Sequence, residues 1–444
     1  MWIHKAALAL LAAACLFLSA CSSLSVTADV EQLMRPPTLS AEQEQVRDAL
    51  EASIGTDQYR LKYPTSGQYR SAYTFYDLDG DGQEEAVVFY ALDEDSSGVV
   101  RIAVLDSQNG QWRAVVSAAG QGTDVDQLQF ASVTGRQAVD LVVGWIDETR
   151  TYETVTVYTF RQERLQNLYE DSYTELLVDD LDQDGMDELL LLRSSSGGRV
   201  TAKLVENSLF SLEVTDERRL NLSFANILQV QSGWLSQEVY GVAVDGYTSD
   251  YRYSSEAIVA RDGQLAFPFD REGDSDDLYD LVTRSSRVFT RDVDGDGVLD
   301  FPSQEALPGY ESSDPEDTLF LTRYLHFNGE GSLETAASAY VDAANGYLLF
   351  FPDNWLGEVT AVVQPQSGEV TFFQYLGSLE DQSAMLLRIR CYSSSDYQDQ
   401  NDREQYVKLV SRGIFEYYAS IHTIPGNPLS ITLDQLSQEM FALL

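Results

Sequence analysis

Phe75-Tyr76-Asp77-Leu78-Asp79-Gly80-Asp81-Gly82-Gln83-Glu84-Glu85 runs without a break into Ala86-Val87-Val88-Phe89-Tyr90. An acidic, glycine-bearing loop thus feeds a run of β-branched and aromatic residues suited to a buried strand. The register recurs twice. Val178-Asp179-Asp180-Leu181-Asp182-Gln183-Asp184-Gly185-Met186-Asp187-Glu188 leads into four leucines, and Thr290-Arg291-Asp292-Val293-Asp294-Gly295-Asp296-Gly297-Val298-Leu299-Asp300 leads into Phe301. With the first acid of each set as position 1, carboxylates occupy positions 1, 3, 5 and 9, and Gly occupies position 6. The sets are Asp77, Asp79, Asp81 and Glu85; Asp180, Asp182, Asp184 and Glu188; and Asp292, Asp294, Asp296 and Asp300. Two further copies have shed their acids. Ser132, Thr134, Arg136 and Asp140 fall on positions 1, 3, 5 and 9 of one. Another begins at Phe224-Ala225-Asn226 and resumes over 239–244 after a longer loop. First positions at 77, 132, 180, 226 and 292 are spaced by 55, 48, 46 and 66 residues. A four-stranded antiparallel sheet with its turns takes about 40–50 residues. Five such units therefore fit residues 60–345, and the long last step is read as an insertion within the acidic stretch 270–280.

Four carboxylates crowded into nine residues repel one another unless a hard cation holds them. Calcium suits such a set, because it takes six to eight oxygens in flexible geometry. The backbone carbonyl of position 7 (Gln83, Met186 or Val298) would add a ligand. EF-hands share positions 1, 3, 5 and 6 but need a Glu at position 12 between helices. Position 12 here is Val88, Leu191 or Ser303, within strand-like sequence. The pattern resembles the FG-GAP (VCBS-type) repeats of integrin α-like β-propellers. That resemblance implies a mainly β fold: a propeller-like domain of about five or more four-stranded blades, with a calcium loop joining the first two strands of a blade. The chain departs from the family pattern at 132 and 226, where the acids are lost. At position 5 of the loop that starts at Ser132, Arg136 is expected to replace the metal and bridge to Asp140. Calcium is expected to clamp loops rather than to catalyse.

The 444 residues hold 29 Lys+Arg against 71 Asp+Glu, a formal net charge of -42. That balance excludes nucleic acid as a partner, since phosphate binding requires a basic stripe. With 44% hydrophobic and 11% aromatic residues, the chain is nevertheless rich enough to fold. Residues 1–20 read as a secretory signal that ends in Leu18-Ser19-Ala20-Cys21. This resembles the lipobox of bacterial lipoproteins, which implies cleavage before Cys21, lipid on its thiol, export, and anchoring at the outer side of the cell membrane. Residues 21–40, with Pro36-Pro37, read as a tether.

Residues 41–54 suit a helix capped by Ser40 and ended by Gly55. Asn109-Gly110 is a hairpin signal. From residue 346 the pattern reads as a small α+β domain, with strands over 347–351, 359–363, 370–375 and 385–392, an amphipathic helix over 402–421, and a last helix capped by Ser430 or Thr432. The propeller-like domain thus takes residues 41–345 and the α+β domain 346–444. No GxSxG elbow, SxxK pair, HExxH or P-loop occurs. Tyr247-Thr248-Ser249-Asp250-Tyr251-Arg252-Tyr253 reads as strand and turn, with stacking on a glycan or peptide as its functional alternative. The function expected is non-catalytic binding or scaffolding at the cell envelope, with a protein or glycan ligand. The alternatives are an envelope glycan hydrolase or lyase using a propeller pocket, and a structural envelope-assembly lipoprotein.

Overall fold

The computed structural model describes residues 39–135, 139–208, 211–270, 278–329, 331–393 and 406–444. The leader, Cys21, the tether and Arg136 lie outside these. Helix α1 (Ala41–Ile54) forms where its caps place it: Ser40 Oγ accepts from the Gln43 amide, and Gln43 Oε1 accepts from the Ser40 amide. Gly55, at φ +74, ends it. Among the described residues no helix is long and apolar enough to cross a membrane.

The rest is mainly antiparallel β. The first sheet holds β1 (Tyr59–Lys62), β2 (Tyr73–Tyr76), β3 (Glu85–Leu92), β4 (Arg101–Gln108) and β5 (Gln111–Ala119), with β1 and β2 end to end along one edge of β3. The second is a meander of β6 (Asp124–Ala131), β7 (Asp140–Ile146), β8 (Glu153–Arg161) and β9 (Arg164–Tyr173). The third runs β10 (Glu175–Asp179), β11 (Glu188–Ser194), β12 (Arg199–Ser208), β13 (Ser211–Trp234), β14 (Tyr240–Thr248), β15 (Tyr253–Arg261) and β16 (Gln264–Ala266). After α2 (Leu278–Val282) come β17 (Phe301–Ala306), β18 (Phe320–Phe327), β19 (Leu333–Asp342) and β20 (Tyr347–Phe350). A further sheet holds β21 (Val359–Val363), β22 (Val370–Gln374), β23 (Met385–Ser393), β25 (Phe415–Ile421) and β24 (Val407–Arg412), in that spatial order. The last strand, β26 (Phe441–Leu443), returns to the free edge of β20. No closed ring is evident among the described strands.

Alternating side chains bind successive meanders face to face. Leu141, Val143 and Trp145 pack with Val87, Phe89 and Ile102 of the first sheet. Val142 and Val155 turn the other way, onto Leu189 and Leu191. Leu190 and Leu192 in turn pack with Val242 and Val244. A strand covered on both faces needs no polar alternation, which is why the runs after the acidic loops are continuously apolar.

Three expectations are corrected. Residues 226–234 do not form a loop. β13 is one 24-residue strand that leaves β12 at the Arg199–Ser223 pair and joins β14 at Phe224–Thr248. Bulges near Phe224 and Ile227 twist it from one partner to the other. The fourth turn is therefore at 235–239, and turns starting at 77, 132, 180, 235 and 292 are spaced by 55, 48, 55 and 57 residues; of the stretch 270–280 expected to hold an insertion, 271–277 lie outside the described residues. Second, the amphipathic helix over 402–421 is not a helix where it is described. β24 and β25 form a hairpin whose two-residue loop, Gly413-Ile414, has Gly413 at φ +61. A Gly-X loop between aromatic and β-branched runs favours that hairpin. Third, the capping box on Thr432 starts only Leu433–Gln435 and a π turn Leu436–Met440, and the chain then ends in a strand. The expected boundary at residue 345 falls between the paired strands β19 and β20.

Candidate metal centres

Each acidic loop sits between two segments whose backbones pair. Tyr76 pairs with Glu85 and Asp179 with Glu188, so position 9 opens the inner strand, while Arg291 and Asp300 meet in a bridge just before β17; position 9 is buried in all three. Glu85, Glu188 and Asp300 are only 1%, 3% and 1% exposed. Each accepts the amide of position 2: Leu78 at 2.7 Å, Leu181 at 2.7 Å and Val293 at 3.0 Å. Position 1 folds the loop. Asp77 accepts from Gly80 and Gly82, Asp180 from Gly185, and Asp292 from Gly295 and Gly297. The glycines at position 6 stand at φ +87, +92 and +88, where a side chain would be strained.

The outcome is three carboxylate trios, Asp77–Asp79–Glu85, Asp180–Asp182–Glu188 and Asp292–Asp294–Asp300, each offering oxygens within 4.8 Å of one another. Position 5 is not part of the trio. Asp81, Asp184 and Asp296 instead accept the position-7 amides of Gln83, Met186 and Val298, which closes the end of the loop. None of these acids is ion-paired to a described Lys or Arg. Asp180 Oδ1 is buried with no hydrogen-bond partner. Burial raises Glu85 to about 7, Glu188 to about 8 and Asp300 to about 7, against the opposing pull of the position-2 amides and with a further push from the neighbouring acids. Clustered, half-desolvated carboxylates without a cation of their own are a donor set that fits a hard metal ion.

The loop starting at Ser132 is built differently. Asp140 keeps position 9, buried and paired with Ala131, but Oδ2 accepts both the amide (3.1 Å) and the hydroxyl (2.7 Å) of Thr134. The Ser132 amide donates to Asp187 Oδ2 of the next acidic loop at 2.5 Å, and Asn207 Nδ2 donates to the Thr134 carbonyl. The bridge expected from Arg136 falls outside the described residues.

Two other arrangements lie outside the loops, and only the second was marked in the sequence. Tyr173 donates to Asp126 Oδ2 at 2.6 Å, in a space kept open by Gly144, whose Cβ would stand 2.2 Å from the hydroxyl. Burial, then Asp126 and Glu153, raises Glu175 beside them to about 7. These residues come from different strands, and no spacing in sequence announces them. The second is the hairpin between β14 and β15. Tyr247 lies 5.0 Å from Tyr253 and 6.2 Å from Tyr251, ring centre to ring centre, and Tyr251 is 80% exposed at φ +63.

No family model matches the chain, and no curated protein matches it. Among solved structures it is similar to the exotype rhamnogalacturonan lyase YesX, at 13% identity and a TM-score of 0.31, with 73% of this chain and 70% of that one covered. It is similar also to the rhamnogalacturonan lyase YesW, at 13% identity and a TM-score of 0.30, with 72% of each chain covered. A rhamnogalacturonan lyase of Bacillus licheniformis follows at 11% identity and a TM-score of 0.29, with 71% of this chain and 72% of that one covered. Likeness at this level carries no argument about activity.

Proposed function

We propose that this is an exported protein, held to the membrane by lipid on Cys21, whose propeller-like blades are clamped by structural calcium and serve non-catalytic binding or scaffolding. The observation that carries the calcium reading is the threefold recurrence of one trio, each with a buried position-9 acid and no cationic partner among the described residues. Calcium at near-millimolar concentration outside the cell fills even sites of about 10⁻⁴–10⁻³ M. The exposed Tyr251 of the β14–β15 hairpin, backed by the half-buried Tyr247 and Tyr253, favours recognition, since such rings offer contact area without a deep pocket. The test is a melt with calcium and with a chelator. One site at a hundredfold excess of calcium adds about 2.7 kcal/mol, so chelation should lower Tm strongly. Asp79→Asn, Asp182→Asn and Asp294→Asn together should abolish the difference. An unchanged melt would refute the calcium reading.

A second reading, an envelope glycan hydrolase or lyase, is favoured by one observation: Asp126, Glu153, Glu175 and Tyr173 converge, with Glu175 raised to about 7. Such a carboxyl can act as a general acid near neutral pH. If this reading holds, Glu175→Gln abolishes cleavage of envelope glycans while leaving Tm unchanged.

A further inference from the structure

In so acidic a protein, one cavity is lined without any Asp or Glu. It has a volume of about 340 Å³ and lies between β13, the segment 287–291 and the β18–β19 pair. Gln229 and Gln231 form one wall, Arg287, Phe289 and Arg291 another, and Tyr324 a third. Other cavities contain carboxylates: Asp79 in one, Asp294, Asp353 and Glu439 in a second, and Glu238, Asp296 and Glu334 in a third. Neither Arg287 nor Arg291 is ion-paired to a described acid. The Arg287 guanidinium lies 5.5 Å over the Phe289 ring, which restrains its plane. Arg291 is fixed through its backbone, pairing with Asp300 in both directions. Leu444, the last residue of the sequence, also borders the cavity; its terminal carboxylate is an anionic group there, and an oxygen of it accepts from Arg412.

The remaining polar groups are oriented. The side-chain amides of Gln229 and Gln231 both donate to the Thr290 carbonyl, at 2.8 and 2.9 Å. Each glutamine therefore has its Oε1 left as an acceptor, which matches a hydroxyl donor. Tyr324 is wholly buried, and its hydroxyl has no hydrogen-bond partner. A buried polar group left unmatched in this way costs stability unless something completes it.

We propose that this cavity binds a small hydroxylated carboxylate. Arg287 and Arg291 take the carboxylate through charge-assisted hydrogen bonds, the glutamine carbonyls accept from hydroxyls on the ligand body, and Tyr324 completes the polar wall. The size suits a ligand of about one hexose, at the lower end of ordinary small-molecule sites. This rests on neither the metal loops nor the glycan-cleaving reading.

Gluconate and sorbitol test it, because they differ only in carboxylate against CH₂OH. Each is titrated calorimetrically into the full chain in calcium-containing buffer. Gluconate is expected to bind with a Kd of about 1 mM or tighter, and sorbitol at least about tenfold more weakly. Arg287→Gln and Arg291→Gln should each weaken gluconate about tenfold. Arg287 is exposed and is not itself part of a metal loop, so its variant remains informative if Arg291→Gln disturbs folding. Tyr324→Phe should weaken gluconate while leaving Tm equal or higher, whereas a purely structural tyrosine would lower Tm. No binding up to about 10 mM, equal binding of sorbitol, tighter binding of inorganic phosphate, or unchanged affinity in both arginine variants would overturn the proposal.

Discussion

Glu85, Glu188 and Asp300 carry the most chemical information of any single residues here. Glu85 and Glu188 begin buried strands, Asp300 immediately precedes one, and each is raised well above the ordinary carboxylate value, first by burial. The folded chain without metal therefore holds protons that the unfolded chain has released between about pH 4.5 and pH 8. Because the folded state binds more protons in that window, its stability falls as pH rises. In chelator, Tm should accordingly climb as the buffer goes from about pH 8 to about pH 5.5. Calcium must displace those protons, so the stabilisation it adds should shrink over the same change. Parallel melts with and without calcium check both signs, and a chelated protein that melts lower at acid pH would contradict the burial of these groups. These residues were readable at once from spacing, because a loop ligand set is local in sequence. Asp126, Glu153, Tyr173 and Glu175 were not, because only the pairing of separate strands brings them together.

At the level of elements, what could be read depended on whether a local signal was unique. Asn109-Gly110 at φ +54 and +75 makes the hairpin that its residues specify, with Gln108 paired to Gln111. Residues 406–417 misled, because Tyr406, Leu409, Val410, Ile414 and Tyr417 suit a helical face, while the β content and Gly413 suit a hairpin. Cross-strand pairing with β23, invisible in one sequence, decides in favour of the hairpin. β13 is the clearer lesson. Its change of partner depends on Phe224 seating over Gly246, where a Cβ would stand 2.2 Å from the Phe224 ring. Gly246→Ala should cost about 1–3 kcal/mol by overpacking, and Phe224→Leu in the same chain should recover part of it. Denaturant melts of the two single variants and the pair measure that coupling. Strict additivity would mean that the ring and the glycine do not share the space.

For the whole molecule, charge bears on the proposed anchoring. With a net charge of -42, the chain repels an anionic membrane surface, so the proposed attachment calls for a covalent lipid rather than adsorption. Cys21→Ser should release the protein into the soluble fraction of fractionated cells. A variant that remains with the membrane would place the anchor elsewhere. Given the same excess of acid, a cation held in each loop would remove repulsion. β13 gives this a reach beyond the loops themselves. It is at once the neighbour of β12 and of β14, so the acidic loop between β10 and β11 and the tyrosine hairpin between β14 and β15 belong to one hydrogen-bonded sheet. Because they share that sheet, the two ends are expected to open as one cooperative unit in exchange with solvent. Emptying the Asp180–Asp182–Glu188 loop should therefore quicken amide exchange in β14 and β15, far along the chain from the ion that was removed.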